Sequence, residues 1–409
     1  MGKIAIGVDV SKEKSTVTAV KESGEIIIKP HTVHHTISDL DDLVKTLKKL
    51  IGESKVVMEA TGHYNEPLVK VLNEAGFFVT VINPRLMKDF TNNTLRIVKT
   101  DKADAVKTAR YGLYYWHQLR RYAPEAVRAK LKICSKLFDF YSAQRLRYSN
   151  ILTALLDQTY PSLKKHLAGV AKANGHIKWV DFAKEFWHCE CVSQMSEGDF
   201  TEAYRTWCTT YKYLFNPKIV TKIYESSFCY VATMEKNAWA EALVAEAVEN
   251  LTTASRTAER LRSELLNLAQ QLPEWPAVAA LYGVGKTVAA QLIAEIGDVR
   301  RFKTAKALVA FAGIDPGRKQ SGNINIRSTP ITKNGSPALR STLMMAVRIY
   351  KKNKPANEPV YLFFEKKRSQ GKPHRVSMIA AMNMFLRIYY ARINEYLEGV
   401  ENDRKAIST

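Results

Sequence analysis

Asp9, Glu59, Asp101 and Asp104 are acidic residues placed where their carboxylates could share a divalent cation. Asp9 follows the apolar run Ile4-Ala-Ile-Gly-Val8, and a carboxylate drawn out of water on such a strand needs a compensating partner. Mg²⁺ is one such partner, held by one or two carboxylates together with phosphate oxygens. Glu59 closes a second apolar run, Lys55-Val-Val-Met58. Asp101 and Asp104 stand three apart at the start of a predicted helix, so both project from one face and repel. The helix N-terminus offsets that repulsion only in part. Taken singly, each acid reads as a cap or a surface residue, Asp9 for instance ending its strand at the turn with Ser11. Taken as a set, they could hold one or two Mg²⁺ ions, a pair lying roughly 4 Å apart, which suits in-line phosphoryl transfer.

The elements that must carry these acids can be read in order. β-like runs at residues 4–10, 15–20 and 25–29, the last two separated by Gly24, predict an antiparallel meander. Apolar residues at 37, 40, 43, 47, 50 and 51 follow a helical period, with Ser38 and Asp39 near its start. A strand at 55–60, a helix at 65–75 and a strand at 77–82 come next, the last stopped by Asn83-Pro84. A polar segment then leads to a helix over 100–116. The order βββαβαβα is that of a ribonuclease-H-like domain, a mixed sheet with helices on both faces. It puts Glu59 at the carboxyl end of its strand, where open α/β sheets place their sites.

The chain has 409 residues, enough for two or three domains, and its apolar (46%) and charged (25%) fractions exclude wholesale disorder. A net charge of +21 points to a polyanionic partner, most simply nucleic acid. The excess is concentrated: from Arg300 to the end there are 22 Lys/Arg against 7 Asp/Glu. No apolar run reaches transmembrane length and no signal-peptide pattern opens the chain. Five cysteines, odd in number, fit free thiols in a reducing cytoplasm, so a cytoplasmic location with no membrane partner is expected. His188-Cys-Glu-Cys191 lacks a second pair at zinc-finger spacing and reads as structural.

Three stretches carry a family resemblance. Gly7-Val-Asp9-Val-Ser-Lys12, Met58-Glu59-Ala-Thr-Gly-His-Tyr64 and Lys99-Thr-Asp101-Lys-Ala-Asp104-Ala105 resemble the signature of DEDD transposases. These are insertion-sequence recombinases with a RuvC-like amino-terminal domain, related to the Piv-type invertase. The resemblance covers residues 1 to about 118 and resumes near 275. It implies a RuvC-like DEDD domain (1–118) and a mostly helical carboxyl-terminal transposase domain (276–409); with the helical patterns of the centre, read as a coiled-coil arm with an inserted helical subdomain (119–275, insert about 161–236), the expected fold class is α/β plus α. It also implies a Mg²⁺-dependent DNA recombinase working as a dimer or tetramer on donor and target DNA, guided by a structured ("bridge") RNA. Asp9, Glu59, Asp101 and Asp104 would be the metal ligands, and a serine of the last domain the nucleophile.

Several hydroxyls of that domain are candidates. Ser336 precedes Pro337 at a helix start and reads as an N-cap. Ser328 and Thr329, before Pro330, read as turn or strand residues. Ser321, before Gly322 and among Arg318, Lys319 and Arg327, fits the Ser-Gly position of the resemblance, and is an ordinary loop serine without it. Upstream, Gly283-Val-Gly285-Lys286 resembles a helix–hairpin–helix turn whose backbone amides and Lys286 would favour a phosphate. A Walker A spacing is missing, so nucleotide hydrolysis is not indicated. Lys333, Arg340 and the loop Lys366-Lys367-Arg368 to Lys372 and Arg375 complete the expected phosphate contacts, which position nucleic acid without reading its sequence.

In the centre, long helical patterns over 126–160 and 238–272 predict an antiparallel pair or arm. The aromatics between them read first as the core of a small subdomain, and second as stacking surfaces for unpaired bases. Two other functions share parts of this pattern. A RuvC-type metal nuclease or junction resolvase would use the four acids and have no need of Ser321. A basic RNA-binding protein on a decayed transposase scaffold would need neither, and the intact acids argue against it.

Overall fold

The β runs of the amino-terminal part form β1 (Lys3–Val10), β2 (Lys14–Lys21), β3 (Ile26–His34), β4 (Glu53–Glu59) and β5 (Phe78–Ile82). They pair in the order β3-β2-β1-β4-β5, with β1, β2 and β3 antiparallel and β4 parallel to both β1 and β5. This is the mixed sheet that the element order predicts. The computed structural model of the chain describes residues 2–60, 62–91, 100–122, 125–167, 169–317, 320–321, 324–325 and 330–407. They divide into two compact units, Met1–Glu125 and Ala126–Thr409.

Strand alternation decides what each face of the sheet carries. Ile4, Ile6 and Val8 of β1 join Val56 and Met58 of β4 in one core, with Leu40, Leu43 and Leu47 of α1 (Ile37–Lys48) and Leu68 and Leu72 of α2 (Glu66–Glu74). Thr36 caps α1 by accepting from the Asp39 amide at 3.2 Å. The alternate residues, Ala5 of β1 and Val57 of β4, lie under α4 (Asp101–Tyr114), with Ala109 and Tyr111 among its buried side chains. By the same alternation Gly7, Asp9 and Glu59 belong to the α4 face. Between β5 and α4, the stretch read as a polar segment contains a further helix, α3 (Pro84–Thr91). Pro at its first position, after Asn83, was the signal for it. The Lys55 ammonium sits 4.4 Å from the Trp116 ring and 4.8 Å from that of Phe78, tying the end of the unit to β4 and β5.

The second unit is helical. Its spine is α5 (Ala126–Thr159) with the helix Ala238–Gln270 running antiparallel beside it. Arg145 meets Glu259 at 3.1 Å, the Cys134 thiol donates to the Leu261 carbonyl at 3.4 Å, and Arg128 makes a fork to Glu274. A core at each end completes the pair. One gathers Leu131, Leu265 and Leu268 with Leu292, Leu343 and Phe385. The other gathers Leu152, Leu156 and Leu251 with Phe182, Phe200, Tyr204 and Trp207. The central aromatics are therefore mainly the interior of a helical subdomain, where Phe182 stacks on Phe186 at 4.6 Å. His188, read as structural, donates through Nε2 to the Met234 carbonyl (3.0 Å). The final helix is His374–Ile407. Among the described residues no helix is long and apolar enough to cross a membrane.

The Arg128–Glu274 pair is the buried ion pair of the helical unit, Glu274 being 1% exposed. Removing one partner leaves an uncompensated charge, so Arg128→Ala lowers stability by about 3–5 kcal/mol in urea melts. Arg145→Ala, at the more exposed pair with Glu259, costs about 1 kcal/mol or less in the same measurement.

Candidate functional site

The predicted acids of the amino-terminal unit are brought together, and a glycine is what permits it. A Cβ built on Gly7 would lie 2.1 Å from the Ala105 carbonyl oxygen and 2.4 Å from the Ala109 amide nitrogen. On Gly112 it would lie 2.6 Å from Val57 Cγ2 and 3.3 Å from Ala5 Cβ. Helix and sheet therefore touch backbone to backbone, through Gly7 below and Ala105, Ala109 and Gly112 above. Asp104 immediately precedes Ala105 and Asp101 stands one turn before it; two residues past Gly7 stands Asp9. Glu59 enters from the adjacent strand, whose Met58 is in register with Val8. Thr100 fixes the start of α4 by accepting from the Ala103 amide at 3.2 Å.

The electrostatics report the convergence. Burial pushes the Asp9 carboxyl up to about 6, and Asp101, Asp104 and Glu59 each push it in the same direction. Glu59 is raised above the usual carboxylate range by burial and by Asp104. Asp104 accepts from Lys107 at 2.8 Å, one turn along α4. Among the described residues Asp9, Glu59 and Asp101 have no hydrogen-bond or ion-pair partner. The donor set is thus all hard carboxylate oxygen, half-buried and short of positive charge, which fits Mg²⁺ better than a softer metal. Among the described residues no three of these groups are drawn in around one point at ligating distance. The acids are near enough to repel and are not closed.

Ser321 lies on a different device. The segments 313–317 and 330–333 pair as a stem: Lys333 donates its amide to the Gly313 carbonyl (3.0 Å), Thr332 to that of Asp315 (3.0 Å), and Pro316 bridges Ile331. Further out, β6 (Gln320–Ser321) pairs antiparallel with β7 (Ile324–Asn325), Ser321 opposite Ile324. The hairpin is rooted by backbone contact. A Cβ on Gly335 would fall 1.8 Å from the Phe311 carbonyl oxygen, and Gly313 has φ +66. Ser336 does cap the helix Pro337–Asn353, accepting from the Leu339 amide at 3.1 Å, and it also donates to Glu295 at 2.6 Å. Arg318, Lys319, Arg327, Ser328 and Thr329 lie outside the described residues.

The other basic candidates take varied places. Lys286 is exposed at the start of the helix Lys286–Ile296, behind Gly285. Gly283 is needed for packing, since a Cβ there would meet Tyr350 Cε2 at 2.7 Å. Lys333 is exposed, at φ +54. Arg340, expected among the phosphate contacts, points Nη1 at the carbonyls of Ala312 (3.2 Å) and Gly335 (3.0 Å), holding the hairpin's root. Lys367 donates to Gln370 at 3.2 Å and Arg368 to the Lys372 carbonyl, which shapes the turn before the last helix. Lys366, Lys372 and Arg375 are exposed there. Sequence reasoning missed Lys107 and the small residues of α4; the spacing Ala105, Ala109, Gly112 was the available signal.

Two outcomes test this geometry. Asp9 has a raised carboxyl pKa, so its contribution to stability is present below the ordinary carboxylate range and is lost as pH rises through about 6. Asp9→Asn therefore stabilises the metal-free protein at pH 8 by about 1–2 kcal/mol in urea melts after discounting for solvent screening, and leaves its stability unchanged at pH 4. Gly7→Ala forces α4 off the strand and costs about 1–3 kcal/mol or more in urea melts.

Two transposase family models match stretches of the chain. Residues 6–161 match the DEDD transposase model of IS110 elements, described as a transposase. Residues 276–361 match the transposase IS116/IS110/IS902 family. An IS110 insertion-element protein of 43.6 kDa from Streptomyces coelicolor, uncharacterized, is 20% identical over 393 residues, 96% of this chain and 94% of its own length. The pilin gene-inverting protein of Moraxella bovis is 32% identical over 134 residues, 32% of this chain and 41% of that protein. Among solved structures, RuvC of T. thermophilus in complex with a Holliday junction substrate aligns over 29% of this chain and 99% of its own, at 12% identity and TM-score 0.25. The four acids thus fall within the first matched stretch, and the residues of the hairpin fall within the second.

Proposed function

We propose that this protein is a Mg²⁺-dependent DNA recombinase that moves an insertion sequence, with Asp9, Glu59, Asp101 and Asp104 as metal ligands and Ser321 as nucleophile. The observation that supports it most is the pressure of three carboxylates on the half-buried Asp9, one from the neighbouring strand and two from α4, in a chain that two transposase family models match. Mg²⁺, when bound, would polarise the scissile phosphate and offset the charge of its oxygens. The Ser321 hydroxyl attacks phosphorus, and the strand's 3′-oxygen leaves as a hydroxyl, taking the proton the serine gives up. The 5′-phosphate is then esterified to serine. A 3′-hydroxyl of another strand attacks that ester, which re-forms a phosphodiester and returns the proton to Ser321. Bond number is conserved, so no nucleotide hydrolysis is required.

The assembly we propose contains more than one copy of the chain. Ile133, Leu137, Phe140 and Ile151 are exposed along one face of α5, an apolar stripe suited to a second copy. We also propose that a structured RNA from the element chooses the DNA sites, the exposed basic residues near 286 and 366–375 gripping backbone. Sequencing the RNA that co-purifies with the protein, expressed beside its flanking DNA, tests this.

Ser321→Ala abolishes the detergent-resistant protein–DNA adduct on denaturing gels and leaves DNA affinity within about twofold. An adduct that survives in this variant places the nucleophile elsewhere, and strand cleavage that survives without any adduct supports a metal nuclease instead. Asp101→Asn loses strand exchange while its melting temperature stays at or above that of the wild type; a collapsed fold would make Asp101 a structural residue.

A further inference from the structure

A groove of about 680 Å³ lies between the stem of the Ser321 hairpin and the last helix, His374–Ile407. Pro316 and Ile331 of the stem face Val376, Ile379 and Met384 of the helix, with the Phe363 ring beside them. The walls are apolar, and their volume is that of a small-ligand cleft. The polar groups that reach it are of one kind. Arg375 and Arg387 are exposed at its margin, and Asn383 is half-buried between their positions on the helix. Arg387 donates through Nε to Asn383 Oδ1 at 2.8 Å, which fixes the amide and leaves its N–H groups as donors. Among the described residues no carboxylate lines the groove.

We propose that this groove is a subsite for an unpaired nucleotide, with the base between the apolar walls and its phosphates on Arg375 and Arg387. A base has two apolar faces, a polar edge and an attached anion, and the groove offers a matching surface for each. Charge complementarity favours this occupant over an apolar segment of protein, because two arginines and no acid frame the cleft and Lys366, Lys367, Arg368 and Lys372 lie just before it in the chain. Rejoining by Ser321 gives such a subsite its use. A strand that changes partners must leave its duplex near the break, and the groove's first wall is the stem on which Ser321 is carried. This rests on the recombinase reading above.

The test uses the full-length protein and short oligonucleotides of one sequence containing 2-aminopurine: single-stranded DNA, single-stranded RNA, and duplex DNA. Ala380 lines the groove, so Ala380→Trp fills it. The expected result is a loss of about tenfold in single-strand affinity, with the 2-aminopurine signal change abolished and duplex affinity within about twofold. Arg375→Gln with Arg387→Gln, both at exposed positions, lowers the slope of log affinity against log salt for the single strand by about 1–2. That pair keeps the inference testable if Ala380→Trp misfolds. Whichever of DNA and RNA is held more tightly by the wild type and lost in Ala380→Trp identifies the strand. Equal losses for duplex and single strand, or unaltered single-strand binding in both variants, overturn the subsite. An oligomer of the wild type that Ala380→Trp breaks apart, with single-strand binding intact, overturns it too and gives the groove to a second copy. Adduct formation by Ser321→Ala with normal groove binding would remove the serine reading alone.

Discussion

The contact between Gly7 and the backbone of α4 governs the amino-terminal unit. A helix normally stands off a sheet by the depth of the side chains between them. Here there is almost none: glycine and alanine on the strand meet alanine, alanine and glycine on the helix. The result brings carboxylates of one helix beside those of two strands, an arrangement that no favourable interaction among the acids would produce. Burial, and after it repulsion, raises the carboxyls of Asp9 and Glu59, a cost sustained by packing on the opposite face, where α1 and α2 cover the aliphatic residues of the same strands. Packing free energy gained on one side of the sheet is offset in part by electrostatic cost on the other, a familiar relation between stability and function.

The helical unit solves a different positioning problem. Ser321 stands on one of two paired strands of two residues each, and such a pair is marginal in isolation. Its order comes from its base: Gly313 and Gly335 pressed against neighbouring backbone, the Arg340 fork between the carbonyls of Ala312 and Gly335, and Ser336 held at once by the Leu339 amide and Glu295. These groups touch no reacting atom in this account, yet they set where the projection begins.

Much of this was legible in the residues. Alternation in 4–10 and the helical period in 37–51 gave the meander and its first helix within a few positions, because one face of each element is buried and polar residues hold the other. The acids could be assigned to strand ends and to a helix start for the same reason. What stayed hidden depends on partners distant in the chain. Arg340 reads as one more cation of a basic segment until the carbonyls around it are seen. Gly7 reads as strand punctuation until α4 lies on it. α3 was passed over because its apolar residues are few, although Asn83-Pro84 marked its start. Ser321 would not have been singled out among neighbouring hydroxyls without the family resemblance, since nothing in its local chemistry differs from theirs.

The paired long helices of the second unit carry a core near each end, one around Leu131 and Leu265, the other around Leu156 and Val244. At 1.5 Å per residue, the stretch of α5 between them spans roughly 35 Å. Because both cores grip the same two rods, that span is a constant of the molecule, unaffected by what either end holds. The pair therefore acts as a gauge. Any two features of a nucleic acid engaged at its opposite ends must be spaced to suit it, and substrates that differ in that spacing would be sorted by length before any base is read.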